Sequence, residues 1–377
     1  MNQRKYGSWV VVLSLGLGCL CSFGAPIQVS FVNAYQGLFA DNERISHADP
    51  HNPDKALIRF FKGATGTLDV CVFDINEGSV VTALVQAVRS GVQVRIVTET
   101  DNTQSAGNPA KVHPAIQQLQ AAGIVIKSDH RPPFMHHKFV VADQKAVWFG
   151  SMNFTVDSMF RDNNNCLLVR SPELAADFEA EFNRLYVEGL FGPNPHAIPY
   201  PAVQVGDVSI EPYFSPEGGA KQAILAELAK AKYAIRFMAF SFTDSDMGNI
   251  LLSKFRAGLQ VEGVFDDCLI DWYSLFNKFH GILPCYRDGN QAIFHHKVLI
   301  IDDDTVITGS FNFSHNAEKH NNEDCVVLRS KEIAGLYIQE YERVRYAAEH
   351  NTNLPPYNHP ACHHKIIPLN RHPFHHY

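Results

Sequence analysis

Positive charge is scarce in this chain. Lysine and arginine together number 32 against 39 acidic residues, a formal net charge of −7. An acidic chain gains nothing from releasing phosphate counterions unless its cations are gathered locally, which counts against tight, sequence-blind nucleic-acid binding. No C-x-x-C occurs, which removes a zinc ribbon and a thioredoxin-like redox motif. No G-x-S-x-G occurs, so no serine sits in the nucleophile elbow of a serine hydrolase. An Asp/Glu-rich cage for a catalytic divalent cation is absent too. Beyond the N-terminus no apolar run reaches the roughly eighteen residues of a membrane helix.

What is present is globular in kind. Hydrophobic residues make up 46% and charged residues 19% of 377 positions, enough for two domains that each bury a core. The first residues, "MNQRKYGSWVVVLSLGLGCLCSFGAP", carry Arg4 and Lys5 and then an apolar run from Trp9 to Leu20. Ser22 and Gly24 stand at −3 and −1 of a cut before Ala25. Residues 1–24 therefore read as a cleavable secretory signal, and the chain as secreted or periplasmic. An uncleaved anchor is the alternative. Of the remaining cysteines, Cys71, Cys166 and Cys325 lie in apolar strand-like runs, where a buried thiol is ordinary. Cys268 and Cys285 flank one loop and are the pair expected to form a disulfide in an oxidising compartment.

The chain is one unit used twice. Residues 136–153 read "HHKFVVADQKAVWFGSMN" and residues 295–312 read "HHKVLIIDDDTVITGSFN". Both follow His-x-Lys, four residues, Asp, six residues, Gly-Ser, one residue, Asn. The duplication extends outward. Each half opens with an amphipathic helix ("DKALIRFFKGA", "AKQAILAELAKAK") and a strand ("LDVCVFDI", "AIRFMAFSF"). A helix stopped by Gly91 or Gly258 follows, then a short strand, a further helix and the motif. After the motif come "NNNCLLVR" and "NNEDCVVLR", then closing helices "SPELAADFEAEFNRLY" and "SKEIAGLYIQEYERVR". Alternating strands and helices predict an α/β sandwich. The expected division is a first lobe over 26–190, a Pro-rich linker over 191–206 and a second lobe over 207–350. Residues 351–377 form a Pro- and His-rich tail, for which adventitious metal binding is the alternative to simple packing.

Strand periodicity places His136 and Lys138 on one face with His137 turned away, and likewise His295 and Lys297 with His296. Brought together, the two copies supply imidazoles, ammoniums, the amides of Asn153 and Asn312, and the hydroxyls of Ser151 and Ser310. That is a donor set suited to phosphate oxygens.

The motif resembles the signature of the phospholipase D superfamily, His-x-Lys, four residues, Asp, six residues, Gly-Ser-x-Asn, and both copies match it in full. The resemblance covers residues 50 to 350. It implies a two-lobed α-β-α-β sandwich with pseudo-two-fold symmetry and one site between the lobes, complete in a monomer. It also implies phosphodiester cleavage through a phosphohistidine, with Lys138, Lys297, Asn153 and Asn312 holding the non-bridging oxygens and no metal or other cofactor required. In such proteins an acidic residue downstream of each motif orients the histidine of the opposite lobe. Glu323 stands at that distance from His295, while Asn164 stands at the same distance from His136. Glu323 is therefore expected to orient His136 as nucleophile, and His295, facing Asn164, to act as general acid and base. Asp162 is the substitute if the loop is shifted. Asp143 and Asp302 are expected to tie their own motifs together.

Three readings compete. A phospholipid surface is favoured by the leader, the acidic balance and "CLIDWYSLF" (268–276), whose Trp272, Tyr273 and Phe276 suit a membrane interface. Packing of that stretch as an amphipathic helix is the alternative. A nuclease would draw on the thin basic cluster Lys111, Lys127 and Arg131. A binding protein on an inactive fold would need none of the histidines.

Overall fold

A computed structural model describes residues 25–351 except 33, 35–37, 106–107 and 194–196. Residues 1–24, read above as a secretory signal, and all but the first residue of the tail lie outside them. Among the described residues the first lobe contains strands β1 (Ile27–Phe31), β2 (Thr67–Val72), β3 (Gln93–Thr98), β4 (Gln104–Ser105), β5 (Asn108–Val112), β6 (Val125–Ser128), β7 (Lys138–Ala142), β8 (Ala146–Gly150) and β9 (Asn165–Val169). Its helices are α1 (Phe39–Ala48), α2 (Pro53–Gly63), α3 (Gly78–Arg89), α4 (Pro114–Ala121), α5 (Val156–Phe160) and α6 (Pro172–Tyr186). The second lobe contains β10 (Val203–Val205), β11 (Val208–Ser215), β12 (Ala234–Ala239), β13 (Gln260–Phe265), β14 (Cys285–Arg287), β15 (Lys297–Ile301), β16 (Thr305–Gly309) and β17 (Glu323–Arg329). With it go α7 (Ala220–Lys230), α8 (Ser245–Arg256), α9 (Leu275–Phe279), α10 (His315–Lys319) and α11 (Lys331–His350).

The duplication is visible in the sheets. One runs β1-β9-β8-β7-β2-β3-β6 and the other β10-β11-β17-β16-β15-β12-β13-β14, the same order with β10 added at one edge. In each, the strand after the first amphipathic helix pairs in parallel with the next strand and antiparallel with the motif strand. Motif strands β7 and β15 are buried along their whole length, so they read as continuous apolar runs rather than alternating ones. The closing helices α6 and α11 begin at Ser171 and Ser330, whose hydroxyls accept from the amides of Leu174 and Ile333, each an N-cap of ordinary kind.

Those two helices lie between the sheets. One apolar core joins Phe139, Phe149, Phe178 and Phe182 to Phe214, Val326, Tyr337 and Tyr341, and so spans both lobes. Phe178 of α6 packs edge-on to Phe139 of β7 and Phe214 of β11, each with centroids 5.0 Å apart. Two further cores fill the outer faces, beneath α2, α3 and α4 on one side and α7, α8 and α9 on the other. The two-lobed sandwich is thus layered α-β-α-β-α, with a helical cover on the second sheet as well.

Three expectations change. Cys268 is disulfide-bonded but Cys285 is a free thiol, so the Cys268–Cys285 bridge does not form. The stretch 268–276 is not one helix. A 3-10 turn over Asp267–Leu269 and the α-helix Leu275–Phe279 are separated by a loop, with Phe276 5% exposed in the core while Trp272 and Tyr273 stand out at 95% and 60%. The linker is shorter than expected at its far end, because Val203 and Val205 alternate into the core and pair as β10 with Val208–Ile210.

Gly150 and Gly309 of the motif owe their identity to close approach. A Cβ would sit 2.2 Å from the Asn165 carbonyl oxygen at Gly150 and 2.3 Å from that of Asp324 at Gly309. Gly309→Ala is expected to destabilise the fold by about 2–4 kcal/mol, measured by denaturant unfolding, whereas Gly335→Ala, with nothing within 4 Å, is expected to be neutral or stabilising.

Candidate active site

Each motif enters its strand through a backbone contact with the opposite lobe. The His136 amide donates to Asn322 O at 2.9 Å and the Asn322 amide to Phe134 O at 2.8 Å. The twin contact runs from the His295 amide to Asn163 O, and from the Asn163 amide to Ile293 O, both at 2.9 Å. These short parallel bridges set each histidine beside the start of the other lobe's β9 or β17.

The side chains follow. His136 Nδ1 donates to Glu323 Oε2 at 2.6 Å, with the carboxylate fully buried. His295 Nδ1 lies 2.9 Å from Asn164 Oδ1. Asn164 Nδ2 is committed to Ser158 O at 2.8 Å, so the oxygen faces His295 and the His295 proton is on Nδ1. Ser151 Oγ donates to the same Asn164 oxygen at 2.8 Å. Ser310 Oγ accepts from the Asp324 amide at 2.9 Å, as Ser151 Oγ does from the Asn165 amide at 3.1 Å. Both serines therefore brace the residues behind the histidines. The substitute Asp162 is engaged elsewhere, accepting from the Ile293 amide.

Lys138 and Lys297 are buried and donate to the carbonyls of their own motif histidines, His136 O at 2.5 Å and His295 O at 2.8 Å. Each ammonium also lies over an aromatic face, Phe73 at 4.9 Å and Phe240 at 4.5 Å. The same rings meet His136 and His295 edge-on at 5.0 and 4.8 Å. Asn153 and Asn312 are the complementary pair: Oδ1 of each is buried without a hydrogen-bond partner, and with the amide turned its NH2 is the end that meets a phosphate oxygen. Among the described residues no group of three or more His, Cys, Asp or Glu is placed to hold a metal.

Burial drives His136 down to about 4; Glu323 opposes this, while Lys138 and, from the other lobe, Lys297 add to it. Its imidazole is thus neutral near pH 7, with the proton on Nδ1 and the lone pair on Nε2. A buried carboxylate also receives the amide just ahead of each histidine: Glu99 from Met135 at 2.8 Å and Asp266 from Phe294 at 2.7 Å. Burial, with neighbouring charge, lifts Glu99 to about 8, and burial lifts Asp266 to about 7.

The residues read from the sequence thus converge, apart from Asp143 and Asp302. Asp143 accepts the amides of Thr65, Gly66 and Thr67, and Asp302 those of Lys232, Tyr233 and Ala234. Each pins the turn entering β2 or β12 rather than its own motif, a contact no local spacing reveals. The reading also missed Phe73 and Phe240, although they sit at matching places in "CVFDI" and "MAFSF". Of the basic cluster, Lys127 donates to Tyr186 O and Arg131 to His320 O and Asn322 Oδ1, so two of its three cations are already engaged.

The family described as cardiolipin synthase, PLD-like domain, matches residues 57–186 and 224–345. A mitochondrial cardiolipin hydrolase of Chlamydomonas reinhardtii is 30% identical over 143 residues, 37% of this chain and 61% of that protein. A phospholipase D of Rickettsia bellii is 31% identical over 156 residues, 40% of this chain and 75% of its own. The chain spans about three-fifths of the cardiolipin hydrolases it matches. The crystal structure of a phosphatidylserine synthase from Haemophilus influenzae superposes with a TM-score of 0.59 at 12% identity, over 84% of this chain and 86% of that one; that likeness concerns the fold.

Nitrogen-15 NMR of the histidine rings tests the proton placement. His136 is expected to show the neutral Nδ1–H tautomer from pH 8 to 5 and to titrate near pH 4. Glu323→Gln is expected to lower that midpoint, because the imidazolium loses its anionic partner. A midpoint at or above the ordinary histidine value would contradict the arrangement.

Proposed function

The chain belongs to the phospholipase D superfamily, and from that membership we propose that it is an exported, monomeric phospholipase D acting at a lipid surface. One observation carries the reading. Two histidines, each donating from Nδ1 to a partner across the lobe interface, flank a site that also holds two ammoniums and the amides of Asn153 and Asn312.

His136 is the nucleophile, since its neutral imidazole leaves Nε2 available and Glu323 stabilises positive charge as it develops. Nε2 attacks phosphorus, a P–N bond forms and the P–O bond to the head group breaks. His295, entering this step as the imidazolium, gives its Nε2 proton to the departing alkoxide and keeps the Nδ1 proton held by Asn164. It then removes a proton from water, whose oxygen displaces His136 and releases phosphatidic acid. An alcohol in place of water gives the transphosphatidylation product. Lys138, Lys297, Asn153 and Asn312 stabilise the charge gathering on the non-bridging oxygens in a site shielded from water, where such contacts are strongest.

Three observations support lipid over nucleic acid. The curated relatives named above are named as lipid hydrolases. Lys127 and Arg131 are spent on protein contacts, which weakens any basic groove. Trp272 and Tyr273 stand exposed on a loop that leaves the second sheet at the site's own end. Strands β12 and β13 run parallel with Ala239 beside Phe265, so the residues that follow, Phe240 and Asp266, emerge together. Asp266 holds the amide next to His295. An aromatic pair there suits the interfacial zone of a bilayer.

The test uses purified protein with phospholipid vesicles, ethanol and EDTA. Phosphatidic acid and phosphatidylethanol are expected, with His136→Ala reduced to about a thousandth of the rate or less. Cleavage of single- or double-stranded DNA without lipid products would overturn the lipid assignment. Trp272→Ala with Tyr273→Ala is expected to weaken vesicle binding by about tenfold or more. The same pair should leave turnover of a short-chain soluble phosphodiester unchanged.

A further inference from the structure

His137 and His296 take no part in the mechanism above, yet both are completely buried and both ring nitrogens of each are engaged. His137 Nδ1 lies 3.1 Å from Asp324 Oδ1 across the lobe interface, and Nε2 lies 3.0 Å from Glu181 Oε1 of α6. His296 Nδ1 lies 3.1 Å from Asn165 Oδ1, and Nε2 lies 3.1 Å from Glu340 Oε1 of α11. Arg184 and Arg343 then pair with Glu181 and Glu340 one helical turn on. The motif histidines thus make a two-rung ladder to the opposite lobe. His136 and His137 reach Glu323 and Asp324, and His295 and His296 reach Asn164 and Asn165.

Charge is distributed unequally between these two clusters. Behind His137 stand two carboxylates, Asp324 and Glu181, the second paired with Arg184; carboxylate oxygens only accept, so each ring nitrogen of His137 faces an acceptor and an imidazolium satisfies both. Behind His296 stand one carboxylate, Glu340, paired with Arg343, and in place of the second acid the amide oxygen of Asn165, whose Nδ2 is committed to Thr308 and Tyr337. An unbalanced charge at such depth is costly. Asp324 makes the need specific: its second oxygen, Oδ2, is buried with no partner among the described residues, and no other side chain is seen to donate to its carboxylate. The nearby Cys71 thiol is pushed up by burial and stays neutral, and the Lys138 ammonium also faces this cluster. Burial alone would lower His137, but its hydrogen bonds to Asp324 and Glu181 outweigh that and hold it above the ordinary value. In His296 burial wins over Glu340 and the ring is lowered.

We propose that His137 is a positioning residue, a buried imidazolium whose bond to Asp324 locks the start of β17 in register and so keeps Glu323 aimed at His136. The inference rests on the assignment of His136 as nucleophile. It adds why the two equivalent histidines perform different tasks: a compensated pair of adjacent acids stands on one side only. Glu323 and Asp324 are consecutive and fully buried, and each is held by a histidine of the opposite lobe.

Histidine NMR reads this without any substrate, so it separates failure of this idea from failure of the phospholipase assignment. In the wild type at pH 7, His137 is expected to show both ring nitrogens protonated and His296 a neutral ring. A neutral His137 would overturn the proposal. His137→Gln removes a cation near His136 and is expected to raise its titration midpoint by about one unit, whereas Asp324→Asn removes an anion and is expected to lower it similarly. The double variant, which deletes the pair together, is expected to return to the wild-type midpoint and to remain folded even if His137→Gln does not. A purely structural role gives no opposed shifts that cancel. If neither Asp324→Asn nor the double variant behaves so, His137 is only a packing residue. On whichever phosphodiester is cleaved, His137→Gln is expected to lower kcat at least tenfold at little change in KM and to move the acid limb to higher pH. His296→Gln should leave that limb in place.

Discussion

Everything at the site depends on two short backbone contacts between the lobes, His136 to Asn322 and His295 to Asn163. They are the points where the opening residues of one lobe's motif strand run beside the opening residues of the other lobe's β9 or β17. Hydrogen bonds of fixed direction leave little choice of register. With that register set, His136 meets Glu323, His137 meets Asp324, and the twin pairs form with Asn164 and Asn165. A slip of one residue would turn Glu323 into the interior and Asp324 toward the site. The common core around Phe178, Phe214 and Tyr337 holds the sheets close enough for these contacts to persist.

Near-symmetry of the backbone therefore coexists with asymmetry of charge. The lobes share sheet order, capping serines and glycines forced by close approach. They differ where Asn164-Asn165 stands opposite Glu323-Asp324. Amides accept hydrogen bonds from the histidines as well as carboxylates do, so the fold tolerates either. Only carboxylates stabilise an imidazolium electrostatically. Two chemically equal histidines acquire different basicity in this way without any difference in backbone geometry.

Much of this was legible in the chain itself. The motifs, their equal spacing, the alternation of helices and strands and the stop glycines are local patterns, and local patterns reflect preferences within a few residues. The equal distances from His136 to Asn164 and from His295 to Glu323 even exposed the charge asymmetry. The same logic failed where burial decides. Trp272 and Phe276 look alike in "DWYSLF", yet Asp271 accepts from the amides of Tyr273 and Ser274 and turns the chain there, leaving Trp272 in solvent. Lys127 and Arg131 look like free cations until their carbonyl partners are seen.

The sequence by itself determined that there are two copies of one unit, which side chains each presents, and that one copy is followed by acids and the other by amides. Only the tertiary structure decided which histidine meets which partner, that Asp143 and Asp302 serve turns, and that Cys285 remains a thiol. The division has a physical cause. Spacing along a strand is set by backbone geometry within a few residues, but the bond from His136 to Glu323 joins positions 187 apart. Closing it requires both sheets, the helices between them and the shared core to be in place first.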